Sequence, residues 1–147
     1  MARGPKFAQG KFEMKNPEKY IGTSTPLARS SWEFVFMKML DEHQSVQNWA
    51  SESIKIPYRN PFTGKQTVYV PDFFVVYIDK NGKTHAELIE VKPANQTFVE
   101  QIGKGQYNKQ QYVKNLAKWE AARAYCNNKN ITFRVVTEND IFHSGKK

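Results

Sequence analysis

The spacing of apolar residues changes several times along this chain, and each change marks an element. In residues 30–43, SSWEFVFMKMLDEH, the apolar Phe34, Met37, Met39 and Leu40 recur at helical spacing behind a Ser30 cap. Glu33 in the first turn suits a helix start, and the helix is expected to end near His43. Ile54, Ile56 and Tyr58 then alternate with polar neighbours and read as a first strand. Residues 59–66, RNPFTGKQ, are turn chemistry. Two further apolar runs in residues 69–92 flank Asn81-Gly82, the strongest turn signal in the chain, and predict a hairpin. A polar connection over residues 94–105 leads into a long helix over residues 106–126, with Val113, Leu116, Ala117, Ala121 and Ala124 as its apolar stripe. A last strand begins near Ile131. The order of helix, three strands, helix and strand implies an α/β domain.

The hairpin carries charges where a structural sheet would exclude them. Asp72, Glu87, Glu90 and Lys92 interrupt runs of Val, Ile, Phe and Tyr, and ionised groups in an apolar interior are costly unless paired or bound to metal. Their relation depends on loop length. A two-residue loop at Asn81-Gly82 sets Asp72 opposite Val91 and puts the acids on opposite faces. A three-residue loop, Lys80-Asn81-Gly82 with Gly82 left-handed, pairs Asp79 with Lys83 and sets Asp72 opposite Glu90. Opposed side chains have Cβ atoms about 4.5–5.5 Å apart, so two such carboxylates repel or share a proton unless a cation lies between them. Mg²⁺ suits such oxygen ligands, and Lys92 falls on the same face by strand alternation. Pro71, which cannot donate to a ladder, points to a distorted or edge strand at the acid. Singly, each charge has an ordinary explanation: Asp72 as a turn residue, Glu90 and Lys92 as a solvated face, Glu33 as a favourable charge at a helix start. Glu87, of opposite parity to Glu90, reads as a surface residue. The conjunction of Asp72, Glu90 and Lys92 favours a site.

Composition narrows the partner. The chain has 147 residues and a formal net charge of +8, which suits a polyanion such as DNA contacted through its phosphates. Residues 1–28, with Arg3, Lys6, Lys11, Lys15 and Lys19 among turn formers, read as a basic arm in which Tyr20 and Ile21 dock, ahead of a single domain over residues 29–147. Arg29, Lys109, Lys114 and Lys118 are candidate phosphate contacts, the helix lysines having a solvated face as the plainer account. The lone Cys126 excludes an internal disulfide and fits a reducing compartment. No apolar run reaches the length of a membrane span and no signal peptide is visible, so no membrane partner is expected. Trp32 and Trp49 are expected in the core.

Pro71-Asp72 followed by Glu90-Val91-Lys92 resembles the PD-(D/E)xK nuclease motif. The family core, a helix, a meander carrying the motif, a second helix and a strand, would cover residues 29–138. The blocks KYIG, RSSWEFVF, VQNWASESIKIPY, VPDFFV and ELIEVKP further resemble the head completion nucleases of T-even-type tailed phages. These resemblances imply a restriction-endonuclease-like fold and a Mg²⁺-dependent DNA nuclease, with Mn²⁺ as substitute. They imply Asp72, Glu90 and the Val91 carbonyl as metal ligands, Lys92 as the residue that positions or activates water, and Glu33 as an added acid. With no base-reading element in view, little sequence specificity is expected. The resemblance places the protein in the host cytoplasm or on the virion, with capsid portal or neck proteins as partners. A glutamine-tyrosine spacing of related exonucleases is not reproduced by GQYNKQQY, so Gln106, Lys109 and Gln110 are weak additions to the site. Two rivals stand: a non-catalytic protein of the head or neck that binds DNA ends, and a repair or transposon nuclease of the same fold.

Overall fold

The computed structural model describes residues 10–92 and 106–137, with residues 106–108 described for their backbone alone. Helix α1, Ser31–Glu42, starts where expected: the Ser30 hydroxyl accepts from the Glu33 N–H, and His43 closes the other end by donating its N–H to the Met39 carbonyl. Of the stretch expected as a basic arm, residues 10–28 wrap the core. Strands β1, Gly10–Lys11, and β2, Leu27–Ala28, pair antiparallel. Phe12 is buried between them and Trp49. Tyr20 bridges to Trp49 and the Ile21 N–H donates to the Trp49 carbonyl, although the Ile21 side chain is exposed.

The wrap is fastened by a buried acid that periodicity does not reveal. Asp41, on α1, accepts from the N–H groups of Lys15 at 2.9 Å and Asn16 at 3.0 Å, while its own carbonyl accepts from Asn16 Nδ2 and Lys19 Nζ. Asp41→Ala removes two part-buried hydrogen bonds to a charged acceptor, each of which contributes about 1.5–3 kcal/mol before solvent replaces it. A loss of roughly 2–4 kcal/mol is therefore expected, read as a lower urea midpoint at unchanged slope.

The first strand of the central sheet is not the one expected. It is β3, Val46–Ser51, whereas the alternating Ile56 and Tyr58 fall in β4, Ile56–Arg59. Strand β4 pairs with β5, Gln66–Tyr69, as a separate two-stranded ribbon inserted ahead of the motif. Trp49, Ala50 and Ser51 are consecutive and all buried, so β3 is covered on both faces and shows no period of two; a register shift between Val46 and Asn48 disturbs it further. Strands β6, Phe73–Ile78, and β7, Thr84–Val91, follow as an antiparallel hairpin. Helix α2, Gln106–Asn127, then leads to β8, Thr132–Val136, parallel to β7. The sheet order is β3-β6-β7-β8.

Two apolar layers flank this sheet. Phe36, Met37 and Leu40 of α1 pack on Trp49, Phe73, Val75, Ile89 and Val91. Trp119, Ala122 and Cys126 of α2 pack on Leu88 and on Ile56, Tyr58 and Tyr69 of the ribbon. The stripe expected on α2 is therefore rotated: Val113, Leu116 and Ala124 are exposed, and Asn115, Trp119, Ala122 and Cys126 face inward. Alanine suits any helix face, so the large indole, not the Val-Leu-Ala pattern, decides which side is buried. The connection over residues 94–105 and the tail after residue 137 lie outside the described residues.

Candidate active site

The register question has a definite answer. Ile78 faces Thr84 and Phe73 faces Ile89, the Asp79 N–H donates to the Lys83 carbonyl, and Gly82 has φ +82°. This is the three-residue loop with a left-handed glycine, and continued by one residue it sets Asp72 against Glu90. Asp79 reinforces the turn by accepting from the N–H groups of Asn81 and Lys83.

Asp72 lies just before β6, held by main-chain bonds. The Val91 N–H donates to Asp72 Oδ2 at 2.8 Å, and the Asp72 carbonyl accepts from the Glu52 N–H at 2.9 Å. Glu52 has φ +50°, a conformation uncommon outside glycine and enriched where surrounding structure enforces a functional geometry. Its carboxylate pairs with Arg29 Nη1. Glu90 is buried, with Oε1 accepting from the Tyr69 hydroxyl at 2.8 Å and Oε2 standing 3.6 Å from Lys92 Nζ. Lys92 is fixed in turn by donating its N–H to the Val136 carbonyl.

Burial raises the pKa of both acids, and the charge of Glu90 raises Asp72 further, partly opposed by the Val91 N–H. Lys92, the Tyr69 hydroxyl and Lys118 partly oppose the rise at Glu90, and the two acids titrate as a pair. Burial, then the charge of Glu90, pushes Tyr69 well above the ordinary phenol value, which keeps it a neutral donor. Burial and the like charge of Lys92 lower Lys118.

The other expected site residues separate into near and far. Glu33 caps α1, its Oε1 accepting from the Arg29 N–H at 2.7 Å, and it reaches Asp72 through its charge. Arg29 lies between Glu52, Glu33 and Asp72. Lys118 comes to the centre from α2, with Nζ 5.7 Å from the Tyr69 ring centroid. Lys114 lies behind it, and Lys109 is exposed nearer the helix start. Glu87 is no surface residue: it accepts from the Tyr77 hydroxyl at 2.9 Å and from Arg134 Nε at 3.0 Å, away from the acid pair. Tyr69 was missed by the sequence reading. Its signal is a phenol in an acid-free strand three residues before Asp72.

Two facing carboxylates, both pushed up by burial and supplied with few donors, are what a hard cation would relieve. Among the described residues no group of three or more His, Cys, Asp or Glu is placed to hold a metal. The donors on offer are thus two carboxylates with main-chain and solvent oxygens, a set that fits Mg²⁺.

Fold and acid pair together define a nuclease of the PD-(D/E)xK type on a restriction-endonuclease-like core. Residues 43–138 match the family described as TnsA-like endonuclease N terminal, and the chain belongs to that family. It is also similar to the head completion nuclease of Enterobacteria phage T4, at 30% identity over 94% of this chain and 96% of that protein.

Tyr69→Phe tests the support of Glu90. Were Glu90 to hold a divalent cation, loss of the group that orients it would cost roughly 10- to 100-fold in cleavage at limiting Mg²⁺, recovered at saturating Mg²⁺. An unchanged Mg²⁺ midpoint would show that the phenol does not serve Glu90.

Proposed function

We propose that this chain is a Mg²⁺-dependent deoxyribonuclease, with Mn²⁺ as substitute, that hydrolyses phosphodiester bonds with little sequence preference during phage head completion. The observation that carries the reading is Asp72 against Glu90 with Lys92 and Lys118 beside them, in a strongly basic chain. A bound divalent cation would neutralise charge at the scissile phosphate and acidify a water molecule. Asp72, Glu90 and the Val91 carbonyl hold that cation. Tyr69 fixes the Glu90 rotamer without competing as a base. Lys92 serves as a hydrogen-bond donor that orients the attacking water, a role that needs no deprotonation, and Lys118 adds positive charge where the phosphate binds. Glu33 acts through its charge on Asp72. Arg29, Lys109 and Lys114 meet phosphates flanking the cut.

The phage role rests on the extent of the similarity, which runs over nearly the whole chain and so includes α1 and most of the N-terminal wrap, whereas the family match begins at residue 43. In that role the protein acts in the host cytoplasm or on the virion, against portal or neck proteins. Linear and circular DNA of unrelated sequences, incubated with Mg²⁺ or EDTA, test the chemistry. Cutting of every substrate with Mg²⁺ alone is expected; cutting that persists in EDTA would overturn metal dependence. A phage lacking the gene should accumulate DNA-filled heads without tails, and normal tail joining would remove the assembly role.

A further inference from the structure

The ribbon β4–β5 is a second feature with chemistry of its own. Residues 53–71 contain Lys55, Arg59 and Lys65 and not one acid. The pairings Ile56 with Tyr69, Pro57 with Val68, Tyr58 with Thr67 and Arg59 with Gln66 define its two faces. Ile56, Tyr58 and Tyr69 are buried against Trp119, Ala122 and Cys126. The opposite face presents Pro57, Arg59, Gln66 and Val68, the last 53% exposed, and Lys55 continues the same alternation. The outward face thus sets apolar Val68 and Phe62 among cations.

The tip is rigid. Asn60 Oδ1 accepts from the N–H groups of Phe62 at 2.8 Å and Thr63 at 3.2 Å. The Gly64 N–H donates to the Asn60 carbonyl, the Asn60 N–H donates to the Lys65 carbonyl, and Arg59 Nη1 reaches the Gly64 carbonyl. Gly64 has φ +73°, and Phe62 stands 51% exposed at the end. At the other end, Tyr69 is bonded to Glu90, and only Val70 and Pro71 separate it from Asp72. The ribbon therefore ends three residues from Asp72, next to the acid pair in the chain.

We propose that this ribbon docks in a groove of duplex DNA beside the phosphate to be cut, an inference that rests on the nuclease reading above. Four paired residues span roughly 13 Å at about 3.3 Å each, and a major groove about 12 Å wide admits a two-stranded ribbon. Lys55, Arg59 and Lys65 meet phosphates along the groove walls, and Val68 and Phe62 pack on its floor and edge. The absence of any acid between residues 53 and 71 favours a polyanion over a protein partner.

The test uses the full chain without divalent metal, so that binding is read apart from cutting. Val68→Glu places a negative charge in the centre of the outward face without touching a buried contact. Affinity for a short labelled duplex, followed by anisotropy, is expected to fall about tenfold, and less for the matching single strand. Val68→Lys is expected to bind at least as tightly as the parent, and Phe62→Ser to bind several times more weakly, with melting temperatures unchanged throughout. Binding of duplex by Val68→Glu at parental affinity, or an equal loss on duplex and single strand, would overturn groove docking. The two readings fail separately. A parent that cuts with Mg²⁺ while Val68→Glu binds normally removes the ribbon inference alone; a ribbon effect in a parent that never cuts removes the nuclease.

Discussion

Asp72→Asn is expected to lower DNA cleavage by on the order of a thousandfold while raising the melting temperature of the metal-free protein at neutral pH. The first effect follows from the proposed ligand role: loss of a cation's several kcal/mol of charge stabilisation at phosphorus corresponds to about three powers of ten. The second follows from the geometry. Asp72 and Glu90 face each other in a largely buried place, and burial followed by the Glu90 charge raises the Asp72 pKa. A group whose pKa rises on folding contributes stability that is complete below its unfolded value, about 3.9 for Asp, and is lost as pH climbs through the folded value. The metal-free parent should therefore weaken toward neutral pH, and the asparagine should remove that slope. The amide oxygen can still accept from the Val91 N–H, so the main-chain anchor survives. Each kcal/mol of relief would appear as roughly 2–4 °C in a domain of this size. Melts in EDTA across a pH series check the sign. A lower melting temperature for the asparagine would show that Asp72 is a stabilising structural acid, and full cleavage would end its catalytic assignment.

That pairing of a functional loss with a stability gain separates this site from an ordinary ion pair. Removing one partner of a structural buried pair leaves an uncompensated charge and destabilises the fold. Here the two partners are of like sign: burial and the Glu90 charge both work against an ionised Asp72, so removing the Asp72 acid removes a repulsion and not an attraction. Added Mg²⁺ should restore stability to the parent and not to the asparagine variant, since a ligand bound to the folded state alone shifts unfolding by mass action.

The acid pair was legible in the sequence because a single turn determines it. Asn81-Gly82 restricts the loop to a few geometries, and requiring Asp72 and Glu90 to share a face selects one, which the structure contains. α1 was legible through its Ser30 cap, a local interaction that needs no tertiary context. β3 was not, because a strand buried on both sides has no alternation to read, and the regular alternation of Ile54, Ile56 and Tyr58 drew attention to the ribbon instead. The inward face of α2 was hidden for a related reason: Ala117, Ala121 and Ala124 are compatible with either side, and the decision is made by what Trp119 packs against. Tyr69 and Asp41 act across long sequence separations, one bonded to Glu90 and the other to Lys15 and Asn16, and no local pattern marks such contacts.

Trp119→Ala is expected to be the most disruptive change outside the acid pair, because one side chain joins α2, the ribbon and the site. The indole is buried among Ile56, Tyr58, Tyr69 and Leu88, and truncating a buried tryptophan costs about 3–5 kcal/mol. Set against a whole stability of roughly 5–15 kcal/mol, that is a large fraction, so the variant should melt far below the parent. Trp119→Phe should cost much less. Phenylalanine keeps most of the apolar volume of the indole, and the cost of truncating a buried ring grows with the cavity left behind. The activity consequence runs through the neighbours. With the indole gone, Tyr69 loses the surface behind its ring and Lys118, one residue earlier on the helix, loses its seat above that ring. The Tyr69 hydroxyl then holds Glu90 less firmly, and on the proposed ligand role of Glu90 the Mg²⁺ needed for half-maximal cleavage should rise about 10- to 100-fold at a temperature where circular dichroism shows the variant folded. A folded Trp119→Ala protein with the parental Mg²⁺ requirement would mean that the strands alone position Glu90, and that α2 supports the sheet without shaping the site.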